Sequence, residues 1–479
     1  MKSRRWLVGS SAFLSLTLAC AQPLPELGEA SQADLSPQAE RRLGESFMRD
    51  LRLREPAFLD DPEIEAYLNA LGARLAAASP DARRDFSFFA MNDATLNAFA
   101  MPGGFIGVHT GLILAAQSES ELAGVIAHEI SHVTQRHIAR MVSTQGQSAL
   151  TVWAAVIVAI LAARSNSQLS QAAIATGQAA AIQTQLNYSR EFEREADRIG
   201  LQTLEGAGFD VRGMASFFGR LQKAGRLYEN GAPVYLRTHP LTTERIADME
   251  NRVQLKPYRQ VPDSLDFQLV RAKIRAEQGT PREALAEFEY QLREKKYGSE
   301  AAARYGRARA LLRSGQPDAG QAEIDALRRL AADSPMIDTL AADLRLKAGD
   351  ARAAAALLRA AAARHPEARV LTYRLAEAEL AANDPDGALR VIVPAVRSTP
   401  SDARLWALQA KTYAALGKRV QQHRSQAEVY ALQGQTGAAI EQLQFAQRAG
   451  DGDFYELSAV DARLRELREL RAREAAARK

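Results

Sequence analysis

The sequence predicts a mainly α-helical protein, in which a globular domain with a small β element precedes an α-solenoid. Three observations carry this prediction. Alanine and leucine are abundant while aromatic residues make up only 6%, a composition that favours helix. Amphipathic periodicity covers most of the chain, and turn residues recur at a fixed interval after residue 263. At 479 residues the chain exceeds what one hydrophobic core usually supports, so two or three domains are expected.

Composition and charge exclude some classes of function. Apolar residues make up 47% of the chain and charged residues 25%, with a net charge of +4, which is ordinary for a globular protein. The small positive surplus is spread along the chain without an aromatic-interleaved basic stripe, so no nucleic-acid partner is expected. Cys20 is the single cysteine, so no disulfide framework and no cysteine-based metal site are predicted.

Residues 1–21 have the layout of an export signal. A positive region at 2–5 and an apolar stretch at 7–18 precede an A-x-A-type cleavage site at 19–21, and the apolar stretch is too short for a permanent membrane anchor. Two outcomes are open, cleavage after residue 21 or lipid attachment at Cys20. Thr17, three residues before that cysteine, fits a lipoprotein signal poorly, which favours cleavage.

Residues 22–256 are predicted to form the first domain. The run at 103–108 (GGFIGV) is short, partly β-branched and punctuated by glycine, which predicts a strand. Residues 149–163 are almost wholly apolar, but 15 residues fall short of the roughly 20 that a spanning helix needs. This stretch is expected to be a buried core helix; the other reading is a helix that contacts lipid or a nascent membrane protein.

The first domain carries the motif H-E-x-x-H at 128–132, in a segment with apolar residues at helical spacing. Four residues advance a helix by about 400°, so the imidazoles of His128 and His132 can reach one zinc ion. Glu129 is rotated by about 100° from His128, where it can take a proton from a zinc-activated water. His137 does not qualify as a further ligand from this helix, because it lies nine residues past His128, about 900° or half a turn away, and faces the opposite side.

A zinc site needs a third protein ligand, and Glu191–Gly200 offers three glutamates. Glu193 shares a face with small and apolar residues, where a carboxylate is costly unless it is paired or binds metal. Glu193 is therefore the predicted third ligand, whereas Glu191 and Glu195 point the other way and are expected to be solvated. Asp197 could accept the N–H of a ligand histidine or donate a proton in the reaction. Without the upstream motif, the segment would be interpreted as an ordinary charged helix.

His239 precedes Pro240, which predicts an extended or turn conformation. Three roles are open for its side chain: a removable fourth ligand on the zinc ion, a group that stabilises an oxyanion, or a cap for the helix that begins near Thr242. The remaining histidines are expected to be packing or surface residues: His109, His365 and His423.

Residues 263–453 are predicted to form tetratricopeptide repeats, after a linker that Pro257 and Pro262 bracket. Turn residues recur with spacings of 36, 34, 34 and 34 at Gly279, Gly315, Gly349, Asn383 and Gly417. A 34-residue period is the signature of these repeats. Small residues recur seven before and five after the turns, where helices pack closely. Gly434 predicts a last helix pair offset by one helix, and 454–479 is predicted to be a charged C-terminal helix.

The order of the motifs resembles that of a known family. The motifs are Asn97–Gly104 (NAFAMPGG), H-E-x-x-H at 128–132, Glu193 with Asp197, and Thr238-His239-Pro240. They resemble the gluzincin family that includes the CAAX prenyl proteases and the heat-shock membrane proteases. The export signal and the repeats narrow the resemblance to a periplasmic branch, whose members promote the assembly of outer-membrane barrel proteins and degrade stalled ones.

This resemblance implies a zincin-like metallopeptidase domain with one zinc ion per chain on His128, His132 and Glu193. It implies that Glu129 is the general base, that Asp197 is a proton donor or supports a ligand, and that His239 gates the metal.

The resemblance also implies a periplasmic location, with an association with the outer membrane as a further option. It implies that the repeats bind unfolded or stalled outer-membrane proteins and their barrel assembly machinery, and 149–163 could add a peripheral membrane contact.

The predicted function is a zinc metalloendopeptidase in the quality control of outer-membrane proteins. An extended substrate is expected to add along the strand at 103–108, and the repeats are expected to hold the client on a concave surface. One alternative is a repeat-based chaperone or adaptor whose zinc site is structural or silenced, which a permanently bound His239 would produce. A second is a lipid-anchored scaffold in which 149–163 matters more than hydrolysis.

Overall fold

The computed structural model is mainly helical, with one small sheet in the first domain. The export signal with Cys20 and the apolar stretch 149–163 lie outside the described residues. Within the described ranges, no helix combines the length and the apolar character that crossing a membrane requires. The structure describes residues 35–81, 84–145, 190–227, 234–330 and 333–477.

Helices dominate the described part of the first domain. In chain order they are α1 (Pro37–Arg54), α2 (Pro62–Ala77), α3 (Thr110–Ala115), α4 (Glu119–Thr134), α5 (His137–Gln145), α6 (Arg190–Gly206), α7 (Arg212–Leu227), α8 (Val234–Thr238) and α9 (Thr243–Gln254). The helix α4, which carries H-E-x-x-H, begins after Ser118, whose side chain accepts a hydrogen bond from the Glu121 amide. Such a cap satisfies an amide that the first helical turn would otherwise leave unpaired.

The sheet has four strands, in the order β1-β2-β4-β3. They are β1 (Phe58–Leu59), β2 (Ser87–Met91), β3 (Ala98–Met101) and β4 (Phe105–His109). Sequence analysis predicted only the run that contains β4 and missed the other three. Strand β1 has only two residues. The residues of β2 and β3 are almost all buried, so these strands lack the apolar–polar alternation that identifies a half-buried strand, and short apolar runs are ambiguous between helix and strand.

The strand β4 lies inside the sheet. It pairs in parallel with β2 on one side and antiparallel with β3 on the other. The expectation that a substrate adds along 103–108 is therefore wrong, because both backbone edges of β4 are already hydrogen-bonded. The strand β3 is an edge of the sheet that the described residues form, and it packs against α4.

The helix α4 is the centre of the first domain. All of its residues are buried, and it packs against α2, α6, α7 and β3. The approach of α6 is close, since a Cβ added to Gly200 would lie 3.2 Å from the backbone nitrogen of His128. Because glycine has no side chain, α6 can bring its carboxylates close to the histidines of α4.

The second part of the described chain is an α-solenoid, as the 34-residue period predicts. Its helices are α10 (Leu265–Glu277), α11 (Pro281–Arg293), α12 (Glu300–Arg313), α13 (Pro317–Arg329), α14 (Pro335–Lys347), α15 (Ala351–Arg364), α16 (Arg369–Ala381), α17 (Pro385–Ser398), α18 (Ala403–Ala415), α19 (Arg419–Leu432), α20 (Thr436–Arg448) and α21 (Phe454–Ala477). Consecutive helices pack against each other along this part of the chain.

The predicted turn residues have the backbone conformation that a tight helix–helix turn requires. All have a positive φ between 60° and 85°, which glycine adopts freely and asparagine more easily than other residues: Gly279, Gly315, Gly349, Asn383, Gly417 and Gly434. Ala427 and Ala439, which flank the last of these turns, are fully buried. The solenoid ends with α21, which buries Val460 and Leu464 in the same apolar cluster.

Helices from four repeats contact one acidic segment of the first domain, Asp60–Glu65, or the helix α2 that includes most of it. Helix α2 contacts α10 and α16, Thr339 of α14 donates a hydrogen bond to Glu63, and Arg404 of α18 pairs with Asp60. These are the first helices of four repeats. The first domain therefore already covers part of the surface that these helices present, which narrows the surface on which the repeats could hold another protein.

A buried ammonium group lies at the centre of this contact. Lys273 Nζ of α10 lies 2.5 Å from Asp61 Oδ2 and 2.5 Å from Glu63 Oε2, and its side chain is only 5% exposed. Burial alone would raise the pKa of Asp61, but the charge of Lys273 lowers it below its ordinary value. The two parts of the chain are thus joined by a charge cluster in which each group depends on its partners.

Candidate metal centre

Four buried side chains from three segments converge at one point in the first domain. His128 and His132 come from α4, Glu193 from α6 and His239 from the residue after α8. Each offers a nitrogen or oxygen atom, and these atoms all lie within 4.8 Å of one another. The structure therefore brings together the three predicted ligands and the histidine that the sequence left with three possible roles, in a group that could hold a metal ion.

The spacing of these atoms fits a tetrahedral zinc site. His128 Nε2 lies 3.0 Å from His132 Nε2 and 3.5 Å from Glu193 Oε2. His132 Nε2 lies 3.4 Å from Glu193 Oε1. Ligand atoms at about 2.0–2.1 Å from a tetrahedral zinc are about 3.3 Å apart. Burial also lowers the pKa of His132 well below its ordinary value, which leaves a neutral imidazole able to bind a metal.

His239 closes the fourth side of the group. Its Nδ1 lies 3.0 Å from Glu193 Oε1 and 3.4 Å from His128 Nε2, and its ring stacks on the ring of Tyr235. The role of a helix cap is excluded, because the N-cap of α9 is Thr242, whose hydroxyl accepts a hydrogen bond from an amide in the first turn. The roles of a metal ligand and of an oxyanion partner stay open at this point.

Glu129 is buried beside the group without belonging to it. Neither of its carboxylate oxygens has a hydrogen-bond partner within the described part of the chain, although His239 Nε2 lies 3.5 Å from Oε1. Burial raises the pKa of this carboxyl above its ordinary value. Because an unsatisfied buried carboxylate is costly, its position next to the four ligand atoms indicates a role in chemistry.

Asp197 stands behind His128. Its Oδ1 lies 3.1 Å from His128 Nδ1, the ring nitrogen that faces away from the other ligand atoms. Burial alone would raise the pKa of Asp197, but hydrogen bonds from His128 and Arg245 lower it. Burial alone would likewise lower the pKa of His128, but hydrogen bonds to Asp197 and Glu193 raise it to about 9. This geometry suits an acceptor that orients a ligand better than it suits a proton donor.

Arg245 of α9 contacts the carboxylates of both Asp197 and Glu193, and it was not among the residues that the sequence predicted for the site. It donates to Asp197 through Nε at 2.7 Å and Nη2 at 2.8 Å, and its Nη1 lies 2.8 Å from Glu193 Oε2. Nη1 also donates to the carbonyl of Pro240 at 2.7 Å. Bidentate geometry of this kind fixes a carboxylate in place. Nothing in the spacing of the motifs indicates which arginine would reach them.

The prediction that His137 faces away from the site is wrong. Helix α4 ends at Thr134, and Arg136 adopts a positive φ of 54°, so the chain turns back before His137. The ring of His137 then reaches His132, with 2.9 Å between the two Nδ1 atoms. Burial lowers the pKa of His137 to about 4. Glu195, which was expected to be solvated, is part-buried and contacts His137 Nε2 at 3.2 Å.

The other histidines lie away from this group. His109 is buried, with its Nδ1 2.9 Å from the Thr95 hydroxyl, which agrees with the expected packing role. His365 lies near Asp333 and Asp338 on the solenoid, and these three could also approach a metal ion. Asp333 is exposed and His365 only half-buried, whereas all four side chains of the group in the first domain are buried, so that group is the candidate centre.

Histidines one helical turn apart, a glutamate from a facing helix and a second buried carboxylate beside them form an arrangement that metallopeptidases use. The model of peptidase family M48 matches residues 62–253, which include all of these side chains. The model of a tetratricopeptide repeat matches residues 345–412. The chain is therefore a metalloendopeptidase that carries helical repeats.

Two relatives that match along nearly the whole length of this chain narrow the class of metalloendopeptidase to which it belongs. The beta-barrel assembly-enhancing protease of Escherichia coli (strain K12) is 33% identical over 95% of this chain and 93% of its own. The putative beta-barrel assembly-enhancing protease of Vibrio cholerae is 34% identical over 93% and 92%. The mitochondrial metalloendopeptidase OMA1 of Arabidopsis thaliana is 30% identical over 46% and 42%. The chain belongs to the family of beta-barrel assembly-enhancing proteases within peptidase family M48.

Proposed function

We propose that this protein is a periplasmic zinc metalloendopeptidase that degrades misassembled outer-membrane barrel proteins and assists the assembly of others. The observation that carries the proposal is the convergence of four buried ligand atoms beside the carboxylate of Glu129, which makes no hydrogen bond within the described part of the chain. The names of the relatives that match along nearly the whole chain support the choice of client.

One zinc ion per chain would be held by His128, His132 and Glu193, with His239 as a fourth ligand at rest. When bound, the ion would polarise the scissile carbonyl and lower the pKa of the attacking water. Asp197 would accept the N–H of His128 and keep that imidazole in the tautomer that leaves Nε2 free to bind.

Glu129 would act as the general base. Its carboxylate takes a proton from the attacking water and passes that proton to the nitrogen of the leaving amine. The raised pKa that burial gives this carboxyl suits both halves of the transfer, because a base is most effective when its pKa approaches the working pH. The lack of a hydrogen-bond partner among the described residues leaves the oxygens available for the water.

The edge strand β3 would align the substrate. Since β4 is paired on both sides, an extended client segment would add its backbone to β3, which lies beside α4. Main-chain pairing of this kind selects for extended chains rather than for particular side chains. A client that is unfolded or stalled offers such segments, whereas a completed barrel has its strands paired.

Cleavage of a barrel protein in two states tests the choice of client. We expect the full-length protein to cleave a urea-diluted outer-membrane barrel protein, and to leave the same protein intact once it is folded in detergent micelles. A chelator should stop the cleavage, and added zinc should restore it. Equal cleavage of the folded and unfolded forms would contradict the proposed selection.

The position of His239 favours a second candidate function, a chaperone or adaptor with a silenced zinc site. His239→Ala separates the possibilities. If His239 is a removable ligand, we expect the variant to hydrolyse an unfolded peptide about tenfold faster or more. In the wild type, the state in which His239 has left the zinc ion would be populated at about 10% or less, and only that state would be active. Without the His239 side chain, every molecule would be in the active state.

His423→Ala is the matched control, since this histidine contacts Gln442 on the solenoid and its loss should leave the rate unchanged. A slower His239→Ala enzyme with full zinc content would instead assign His239 to oxyanion stabilisation. If the wild type and His239→Ala both bind zinc and neither hydrolyses the peptide, the result would support the chaperone or adaptor with a silenced zinc site.

A further inference from the structure

The ligand His132 is supported by another histidine, in contrast to His128. Behind His128 stands the carboxylate of Asp197, 3.1 Å from Nδ1. Behind His132 stands His137, with 2.9 Å between the two Nδ1 atoms. His137 Nε2 in turn lies 3.2 Å from Glu195 Oε2. A chain of two imidazoles and one carboxylate therefore leads away from the candidate centre.

Hydrogen-bond chemistry fixes the tautomers along this chain. His132 directs Nε2 toward His128 and Glu193, so a metal-binding His132 keeps its proton on Nδ1. The Nδ1–H of His132 then donates a hydrogen bond to Nδ1 of His137. Because Nδ1 of His137 is the acceptor, the proton of the neutral His137 ring lies on Nε2. That N–H then donates to Glu195, which accepts it as a carboxylate.

The surroundings of His137 hold its ring in this orientation. The ring stacks on Phe192 of α6, with 4.5 Å between the ring centroids and 9° between the planes. Arg140 lies over the same phenyl ring and donates to Glu195 Oε2 at 2.8 Å. His137 itself is fully buried, so its orientation is set by packing as well as by hydrogen bonds.

We propose that His137 is a positioning residue of the metal centre: it accepts the Nδ1–H of His132 and passes the hydrogen bond on to Glu195, so that Nε2 of His132 stays aimed at the ion. The proposal rests on the proposed zinc site. Asp197 places a full negative charge next to His128. His137 instead offers His132 a neutral acceptor, which the carboxylate of Glu195 holds in place, so that His132 stays aligned without a full charge directly beside it.

Zinc affinity of the full-length protein tests the proposal, measured by competition with a chromogenic chelator. His137→Phe keeps an aromatic ring against Phe192 and removes the acceptor. His137→Asn keeps an acceptor, because its amide oxygen can take the position of Nδ1. We expect His137→Phe to weaken zinc binding by about 10- to 100-fold and His137→Asn to restore most of the wild-type affinity. His423→Phe, the same change on the solenoid, should leave the affinity unchanged.

Equal affinity of His137→Phe and wild type would overturn the proposal, and so would equal losses in His137→Phe and His137→Asn, which would indicate a packing role alone. Circular dichroism of the metal-free proteins shows whether each variant folds. If His137→Phe does not fold, His137→Asn compared with His137→Leu makes the same distinction. A wild-type protein that binds no zinc would overturn the proposed function as well, whereas a zinc-binding wild type with an unaffected His137→Phe would overturn this inference only.

Discussion

Replacing Glu129 with glutamine is expected to lower kcat for an unfolded substrate by about 10²- to 10⁴-fold, the usual contribution of a general base. Glutamine has nearly the same shape but cannot accept a proton from the attacking water. Because Glu129 stands beside the four ligand atoms without belonging to the group, the variant should keep its zinc. Steady-state proteolysis of casein and metal analysis of the same preparation provide the two measurements.

Glu191→Gln is the matched control for this experiment. Glu191 is an exposed residue at the start of α6, so the same chemical change there should leave both proteolysis and zinc content unaltered. Undiminished proteolysis by Glu129→Gln would falsify the assignment of the general base. Loss of zinc from Glu129→Gln would mean that the glutamate is a ligand instead.

The second large effect is expected at the contact between the two parts of the chain. Lys273→Met should lower the free energy of unfolding by about 3–5 kcal/mol, because it leaves the buried carboxylate of Glu63 and the part-buried carboxylate of Asp61 without their shared cation. Urea unfolding followed by circular dichroism measures this change. Lys256→Met is the matched control, since Lys256 and Glu205 form an exposed pair whose loss should cost at most about 1 kcal/mol.

The pH dependence of the free energy of unfolding of Lys273→Met tests whether the lost charge pairing causes the destabilisation. The folded-state pKa of Asp61 is lowered, so its contribution to stability is present above the unfolded value of about 3.9 and is lost as the pH falls through the folded value. The difference between wild type and Lys273→Met should therefore be largest near neutral pH and shrink below about pH 4. A difference that stays constant down to pH 3 would show that lost packing, not charge, causes the destabilisation.

The sequence was sufficient to predict features that depend on local periodicity. The spacing of His128 and His132 predicts that they share a helix face, and the apolar face of α6 distinguishes Glu193 from the glutamates around it. The 34-residue period predicts the positive-φ turns of the solenoid, including Asn383. Each of these predictions needs only the geometry of one helix or one turn.

Features that depend on the path of the chain between elements were not predictable in the same way. His137 reaches His132 only because Arg136 adopts a left-handed conformation, for which arginine gives no signal. Arg245 reaches two carboxylates about 50 positions earlier in the sequence, and α9 has to pack onto α6 for that contact to form. The strands β2 and β3 are buried, so their apolar residues do not alternate.

The contact around Asp61, which joins the two parts of the chain, could not be predicted from the sequence either. Repeats predict a concave surface, but the period does not show that an acidic segment some 200 residues earlier contacts helices of the repeats. The structure reveals the contact because Lys273 is buried in the described chain and its partners belong to the first domain.

Anomalous diffraction at the zinc absorption edge, from crystals of the zinc-loaded full-length protein, would locate the metal ion itself. We expect one strong peak per chain, within bonding distance of His128 Nε2, His132 Nε2 and a carboxylate oxygen of Glu193. A zinc-loaded crystal without a peak among these three side chains, or with its strongest peak at another group of residues, would contradict this expectation.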